Sequence, residues 1–357
     1  MTNSPFWVGL VAGMQGLGLV GFGPLGGTIV DRFDKRKVLA IVHFSGSITT
    51  FATGALIITD NIELWHMPIL ALLQGMFMAT QIPASNSLAY QLVGPHRLLN
   101  AMATRLTAMN MSRVIGSLIA GTLIARYGIG SSYFFAAMSS LFGLMLLWFV
   151  QGTFKEYANK KPFWSDIKLG LRYVWEVTPI RKLLLLSLLM ETFGFSHLVM
   201  MPVMARDVLG VGPAGLGYLS AASGLGATMS TLIVASLGDF QHKGVLLVFS
   251  AIGTGIALIA FAFSPWFAIS IIMVGLVGAL IMAYDVTMGT MLQIMSDDDM
   301  RGRVLGFYGL TFGFTSIGGF IAGSIATALN ASVAVAAGGA IIALYVTRIA
   351  RSMIRSR

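Results

Sequence analysis

Three ionisable residues, Arg113, Glu191 and Asp285, stand inside stretches of sequence that are otherwise apolar. An ionisable side chain at the centre of a membrane helix costs about 2.5–3.5 kcal/mol on insertion scales, so one placed there is a candidate for handling ions or substrate. At 1.5 Å per residue, Glu191 falls about 14 Å from Lys182, Arg113 about 15 Å from Ala103 and Asp285 about 15 Å from Met295. The three therefore share one depth, near a midplane. A carboxylate can take up and release a proton, and a guanidinium brought beside it or withdrawn changes how tightly that proton is held. Proton exchange tied to binding is the chemistry this trio can do. The same stretches offer the weaker polar candidates Gln74 and Gln81, seven residues apart and so on one helix face, with Asn110 and His197. His197 reads more readily as a hydrogen-bonded packing residue than as a proton carrier, and Arg105, nearer a span end, as a snorkelling side chain.

The elements that must position these residues are membrane helices. The 357 residues are 56% hydrophobic and only 10% charged, with a mean hydropathy of +0.82. Soluble domains carry about 25% charged residues. Eleven stretches can each cross a hydrocarbon core of about 30 Å: 5–30, 38–59, 67–93, 98–125, 132–151, 181–205, 213–236, 244–263, 267–293, 303–328 and 330–350. The fold class is an all-α polytopic membrane protein. A soluble enzyme, a nucleic-acid-binding domain and a disulfide scaffold are excluded. The chain has no cysteine and five scattered histidines, so neither a thiolate nor a metal cluster is expected, and no cofactor. An intramembrane enzyme would need a nucleophile–base pair, and His197, six residues from Glu191, lies on a different face. The Met residues at 200, 201 and 204 read as apolar filler or as an adaptable wall.

Charge gives orientation. The connections at 31–37, 94–97, 152–182, 237–243 and 294–303, with the chain from Arg348 onward, hold nineteen basic residues; the opposite side holds two, Arg126 and Arg206. The positive-inside rule makes the basic side cytoplasmic. The C-terminus is then inside and Met1 outside. Residues 152–182 form the one sizeable polar segment, and the pattern of Ile167, Leu171, Tyr173, Val174 and Trp175 predicts an amphipathic surface helix, either a linker or a site for a lipid headgroup or regulator.

A repeat runs through the chain. A shift of 208 residues lays Pro5 on Pro213, Gly9 on Gly217, Gly16-Leu17-Gly18 on Gly224-Leu225-Gly226, Asp31 on Asp239 and Lys35 on Lys243; slightly different shifts pair Arg97 with Arg303 and Gly121 with Gly323. This is a parallel duplication of the kind found in two-bundle transporters. The second half has a span, 181–205, with no counterpart in the first. The expected domains are an N-terminal bundle of five spans at 1–151, lacking its first helix, a linker at 152–180 and a six-span bundle at 181–357.

The sharpest local motif is the run Gly26-Gly27-Thr28-Ile29-Val30-Asp31-Arg32-Phe33-Asp34-Lys35-Arg36-Lys37. It ends one span and begins the next, with Asp31 placed to cap a helix or pair with an Arg. It resembles the loop between the second and third helices of the major facilitator superfamily, with Asp34 where that pattern has a second Gly. The runs 301–313 and Arg113-Val-Ile-Gly116-Ser-Leu-Ile-Ala-Gly121 look like its drug/proton antiporter branch, which includes macrolide and enterobactin exporters; Ser117 stands where that motif has Pro. The resemblance implies two pseudo-symmetric bundles. It gives Gly27, Asp31, Arg32, Lys35, Arg36 and the second copy at Asp239 a conformational locking role. It gives Gly116, Gly121, Gly318, Gly319 and Gly323 close helix packing. The function it implies is proton-coupled efflux of small amphipathic molecules across the bacterial inner membrane, with the lipid bilayer, protons and substrate as partners and the protein a monomer. The rival reading is a transport-inactive remnant or scaffold.

Overall fold

A computed structural model describes residues 4–150, 163–236 and 242–354. Every regular element among them is helical, and eleven of the helical stretches are long and apolar enough to cross a membrane. That outcome follows from the solvent: in hydrocarbon each backbone N–H and C=O must be satisfied within its own segment, which a helix does.

The first half holds α1 (Pro5–Arg32), α2 (Lys35–Ile58), α3 (His66–Tyr127) and α4 (Ile129–Trp148). The second holds α6 (Thr178–Leu189), α7 (Ser196–Val203), α8 (Gly212–Ser236), α9 (Lys243–Ala262), α10 (Phe267–Met295), α11 (Asp298–Thr311), α12 (Phe314–Ala328) and α13 (Ala331–Ile354); α5 (Phe163–Glu176) lies between the halves in sequence. The sequence predicts a connection at 94–97, but helical backbone runs through it within α3. The chain nevertheless reverses there. Arg105 hydrogen-bonds Asn86, whereas nineteen residues of straight helix would hold them about 28 Å apart. The two arms of α3 are the spans His66–Val93 and Thr107–Tyr127.

One further span is built in pieces. From Thr178 to Val208 the chain passes through α6, a π-helical turn at Met190–Gly194, α7, and a second π turn at Met204–Val208. A π turn shifts side chains out of α register and is common at functional sites. Glu191 sits in the first of these two turns.

The Gly-Asp loop caps differently from expectation. Asp34, not Asp31, accepts from the backbone N–H of Arg36 at 2.8 Å and of Lys37 at 3.2 Å, so the residue that departs from the family pattern is the N-cap of α2. Arg36 then donates to the carbonyl of Trp148 at the end of α4. The side chain of Asp31, and all of Asp239, lie outside the described residues.

The halves meet along two seams, α1 on α12 and the second arm of α3 on α8. Both seams depend on glycine. A Cβ on Gly9 would lie 2.8 Å from the Gly319 carbonyl oxygen, and one on Gly323 would lie 2.8 Å from the Pro5 carbonyl. Across the other seam, a Cβ on Gly121 would lie 2.9 Å from the Pro213 carbonyl oxygen, and one on Gly217 would lie 2.8 Å from that of Ser117. The repeat pairs Gly9 with Gly217 and Gly121 with Gly323, so the seams are the same contact made twice with the halves exchanged. Gly116 was expected to pack in this way, yet its Cβ position has no neighbour within 4 Å.

The seams close one end only. Towards the basic loops, Gly27, Gly302, Gly306 and Gly309 have nothing within 4 Å of a Cβ position. A cavity of about 400 Å³ opens there between α1, α3 and α11, lined by Gly23, Gly27, Met78, Asn86, Gly306 and Gly309 among others. The two halves are therefore parted at the basic end and joined at the far end.

Helix α5 docks on the second half at the basic end. Gly170 faces Phe307 and Arg303, and the Tyr173 hydroxyl accepts from the N–H of Asp297 at 3.1 Å. Val174 turns inward with Gly170, while Leu171 and Trp175 remain exposed. Residues 151–162, the first part of the expected linker, lie outside the described residues.

Candidate functional site

Glu191 is almost fully enclosed, with 2% of its surface exposed. Its place follows from two local features. The π turn carries it towards α12, and Gly318 lets that helix come close, since a Cβ there would fall 1.7 Å from the Thr192 carbonyl oxygen. Thr315, on the turn of α12 before Gly318, then donates its hydroxyl to Oε2 of Glu191 at 2.5 Å. Oε1 is buried with no hydrogen-bond partner.

One helical turn along, a second polar rung joins the same two spans. Ser187, four residues before Glu191, shares a 2.7 Å hydrogen bond with Thr311, four before Thr315; both are buried. Asp285 of α10 accepts from the Tyr308 hydroxyl at 3.5 Å. Asp285 and Glu191 are near enough for each charge to act on the other, and the charge of Arg113 reaches both Asp285 and His197. Neither carboxylate, however, forms an ion pair with Arg113 within 4 Å, and Arg113 is exposed.

The structure thus gathers Arg113, Glu191, Asp285 and His197 into one electrostatic cluster. His197 is fully buried, with Nδ1 placed 2.6 Å from the Gly194 carbonyl to donate to it, and Nε2 unpartnered. Asn110 lies one turn before Arg113, buried, its Nδ2 also without a partner. The two glutamines belong elsewhere. Gln74 donates to Thr50 Oγ1 at 2.9 Å, and Gln81 lies 3.4 Å from Nε2 of His43, whose Nδ1 is 3.3 Å from Ser140 Oγ. They form a polar seam between α2, α3 and α4, inside the first half. Their seven-residue spacing gave the shared face correctly but not the neighbour it meets.

Thr315, Thr311, Ser187 and Tyr308 went unnoticed in the sequence. The available signal was spacing: Ser187 and Glu191 are four apart, as are Thr311 and Thr315, so each pair shares a helix face. Among the described residues, no cluster of three or more His, Asp or Glu has metal-binding geometry.

Eleven apolar spans, a duplicated pair of bundles meeting on glycine seams, and carboxyl groups enclosed within the second of them define a membrane transporter of the major facilitator fold. The chain belongs to the transmembrane secretion effector family, whose model matches residues 1–357. It is 25% identical over 308 residues to the enterobactin exporter EntS of Escherichia coli O81 (strain ED1a), covering 86% of this chain and 74% of that protein. The EntS of Shigella boydii serotype 18 matches at the same identity and coverage. In fold it is similar to the crystal structure of the nucleoside transporter NupG, with a TM-score of 0.75 at 15% identity over 99% of this chain and 91% of that one. A bacterial homologue of the human lysosomal transporter Spinster, solved inward-facing and unoccupied, gives a TM-score of 0.72 at 14% identity, covering 98% and 86%.

Proposed function

We propose that this protein is a proton-coupled exporter of small amphipathic molecules, working by alternating access with Glu191 and Asp285 as proton carriers. The observation that carries the reading is the enclosure of Glu191 at membrane depth beside Asp285, each held by a hydroxyl from the α11–α12 span. Two carboxylates that feel each other's charge cannot both ionise freely, so a proton shared between them responds to any change in their surroundings. The basic end is taken as cytoplasmic by the positive-inside rule, in a bacterial inner membrane. The structure then corresponds to an inward-open state. Rocking about the glycine seams would close the basic end, open the far end and expose the carboxylates to the other side. A proton entering from outside favours one conformer and substrate the other, so the gradient drives outward movement. Similarity to the enterobactin exporters supports the direction of transport.

Removing only the charge tests the reading. Glu191→Gln and Asp285→Asn should insert normally in proteoliposomes, and at least one should lose uphill, pH-gradient-driven efflux while keeping passive exchange. Parent-like pumping by both variants from pH 6 to 8 would remove the carboxylates from the mechanism.

A further inference from the structure

Arg113 stands apart from the other span and span-end cations whose partners are visible. Arg105 is held by Asn86, and Arg206 by Asp207 at 2.5 Å. Arg113, deep in the second arm of α3, has no hydrogen bond or ion pair among the described residues. Its candidate counterions bond elsewhere: Thr315 donates to one oxygen of Glu191, and Tyr308 to Asp285. Arg113 is instead exposed, and its charge reaches Asp285 and His197 of the second half. A cation at membrane depth without a partner is costly, and such groups mark substrate and ion pathways. One turn earlier, Asn110 holds a second donor with nothing to give to: its side chain is 5% exposed and Nδ2 is unpartnered.

We propose that Arg113, assisted by Asn110, is the receptor for an anionic group on the transported molecule, so that the substrate class is amphipathic organic anions bearing a carboxylate, sulfonate, phosphate or ionised phenol. A guanidinium offers a planar fork of donors that matches such oxyanions two at a time, and an amide N–H₂ beside it extends the set. The inference rests on the transporter reading but not on its proton step.

The test uses a matched fluorescent pair, dansylglycine and its neutral amide, differing only in the anionic group. Binding is measured to the protein in lipid nanodiscs at a single pH, with empty nanodiscs subtracting partition into lipid. The parent should bind the acid roughly ten- to a hundredfold more tightly than the amide, the range expected for a charge-assisted pair. Arg113→Gln should erase that preference and leave amide binding unchanged, and Arg113→Lys should keep part of it. A parent that binds the two equally or binds neither, or an Arg113→Gln protein that still prefers the acid, overturns the proposal. The parent measurement needs no variant to fold. Uphill, pH-gradient-driven efflux by the parent in proteoliposomes, measured separately, distinguishes the two readings: its absence overturns the proton-coupled reading, whereas equal binding of acid and amide overturns this one.

Discussion

Thr315 donates to Glu191 across the gap between two spans of the second half, and Gly318 on the following turn is what allows them so close. The hydroxyl and the glycine act together: one satisfies a carboxylate oxygen, the other sets the distance. Loss of the donor leaves a buried oxygen unsatisfied, which costs about 1–3 kcal/mol. Thr315→Val should therefore lower the thermal unfolding temperature in detergent, and Thr315→Ser should restore most of it. Equal stability of all three proteins would show that the bond contributes nothing.

The glycine seams make a paired prediction. Gly121→Leu should disrupt the contact of α3 with α8, because a Cβ already meets the Pro213 carbonyl at 2.9 Å, whereas Gly116→Leu faces open space. The former should reduce both folded yield and transport, and the latter should leave them within about 0.5 kcal/mol and twofold of the parent, as for substitutions away from packed sites. Folded yield in size-exclusion chromatography and transport rate in proteoliposomes would separate the two.

Alternating access requires the far end to open. Phe6 of α1 and Phe320 of α12 stack edge-on across the halves with ring centres 5.8 Å apart. The chain has no native cysteine, so the pair Phe6→Cys and Phe320→Cys can be oxidised without competition. The oxidised protein should lose transport and recover it on reduction. Transport that continues under oxidation, with the disulfide verified by mass spectrometry, would show that this end does not move.

Orientation is open to direct labelling on the same cysteine-free background. Ser165→Cys should react with an impermeant maleimide only when the cytoplasmic face is exposed, and Asn61→Cys should react in intact cells. The reverse pattern would invert both the topology and the inward-open assignment.

The residues legible in the sequence were those whose presence contradicts their surroundings. Arg113, Glu191 and Asp285 stand out because charge in hydrocarbon is expensive, and the structure brings all three within electrostatic reach of one another or of a shared neighbour. Thr315 carries no such signal. Threonines in membrane helices usually bond the carbonyl four residues back, as Thr53, Thr254 and Thr287 do here. Only the approach of two spans distinguishes a hydroxyl that bridges from one that turns home. The capping of α2 shows a similar limit: the sequence points to Asp31, and the end of α1 at Arg32 leaves the cap of α2 to Asp34. The eleven spans were readable because length and apolarity alone define them. The reversal inside α3 follows Val93, where the sequence predicts a connection; what the sequence does not show is that helical backbone continues through it.

The two seams have a consequence for how little force the machine needs. A joint made of side chains exposes their apolar area when it parts, at about 25 cal/mol for each Å². At their closest approach the Gly9–Gly323 and Gly121–Gly217 joints present backbone, so at those points parting uncovers little apolar area. On the mechanism proposed above, such a gate parts at little cost in apolar contact, and the proton and the bound anion are what would shift it.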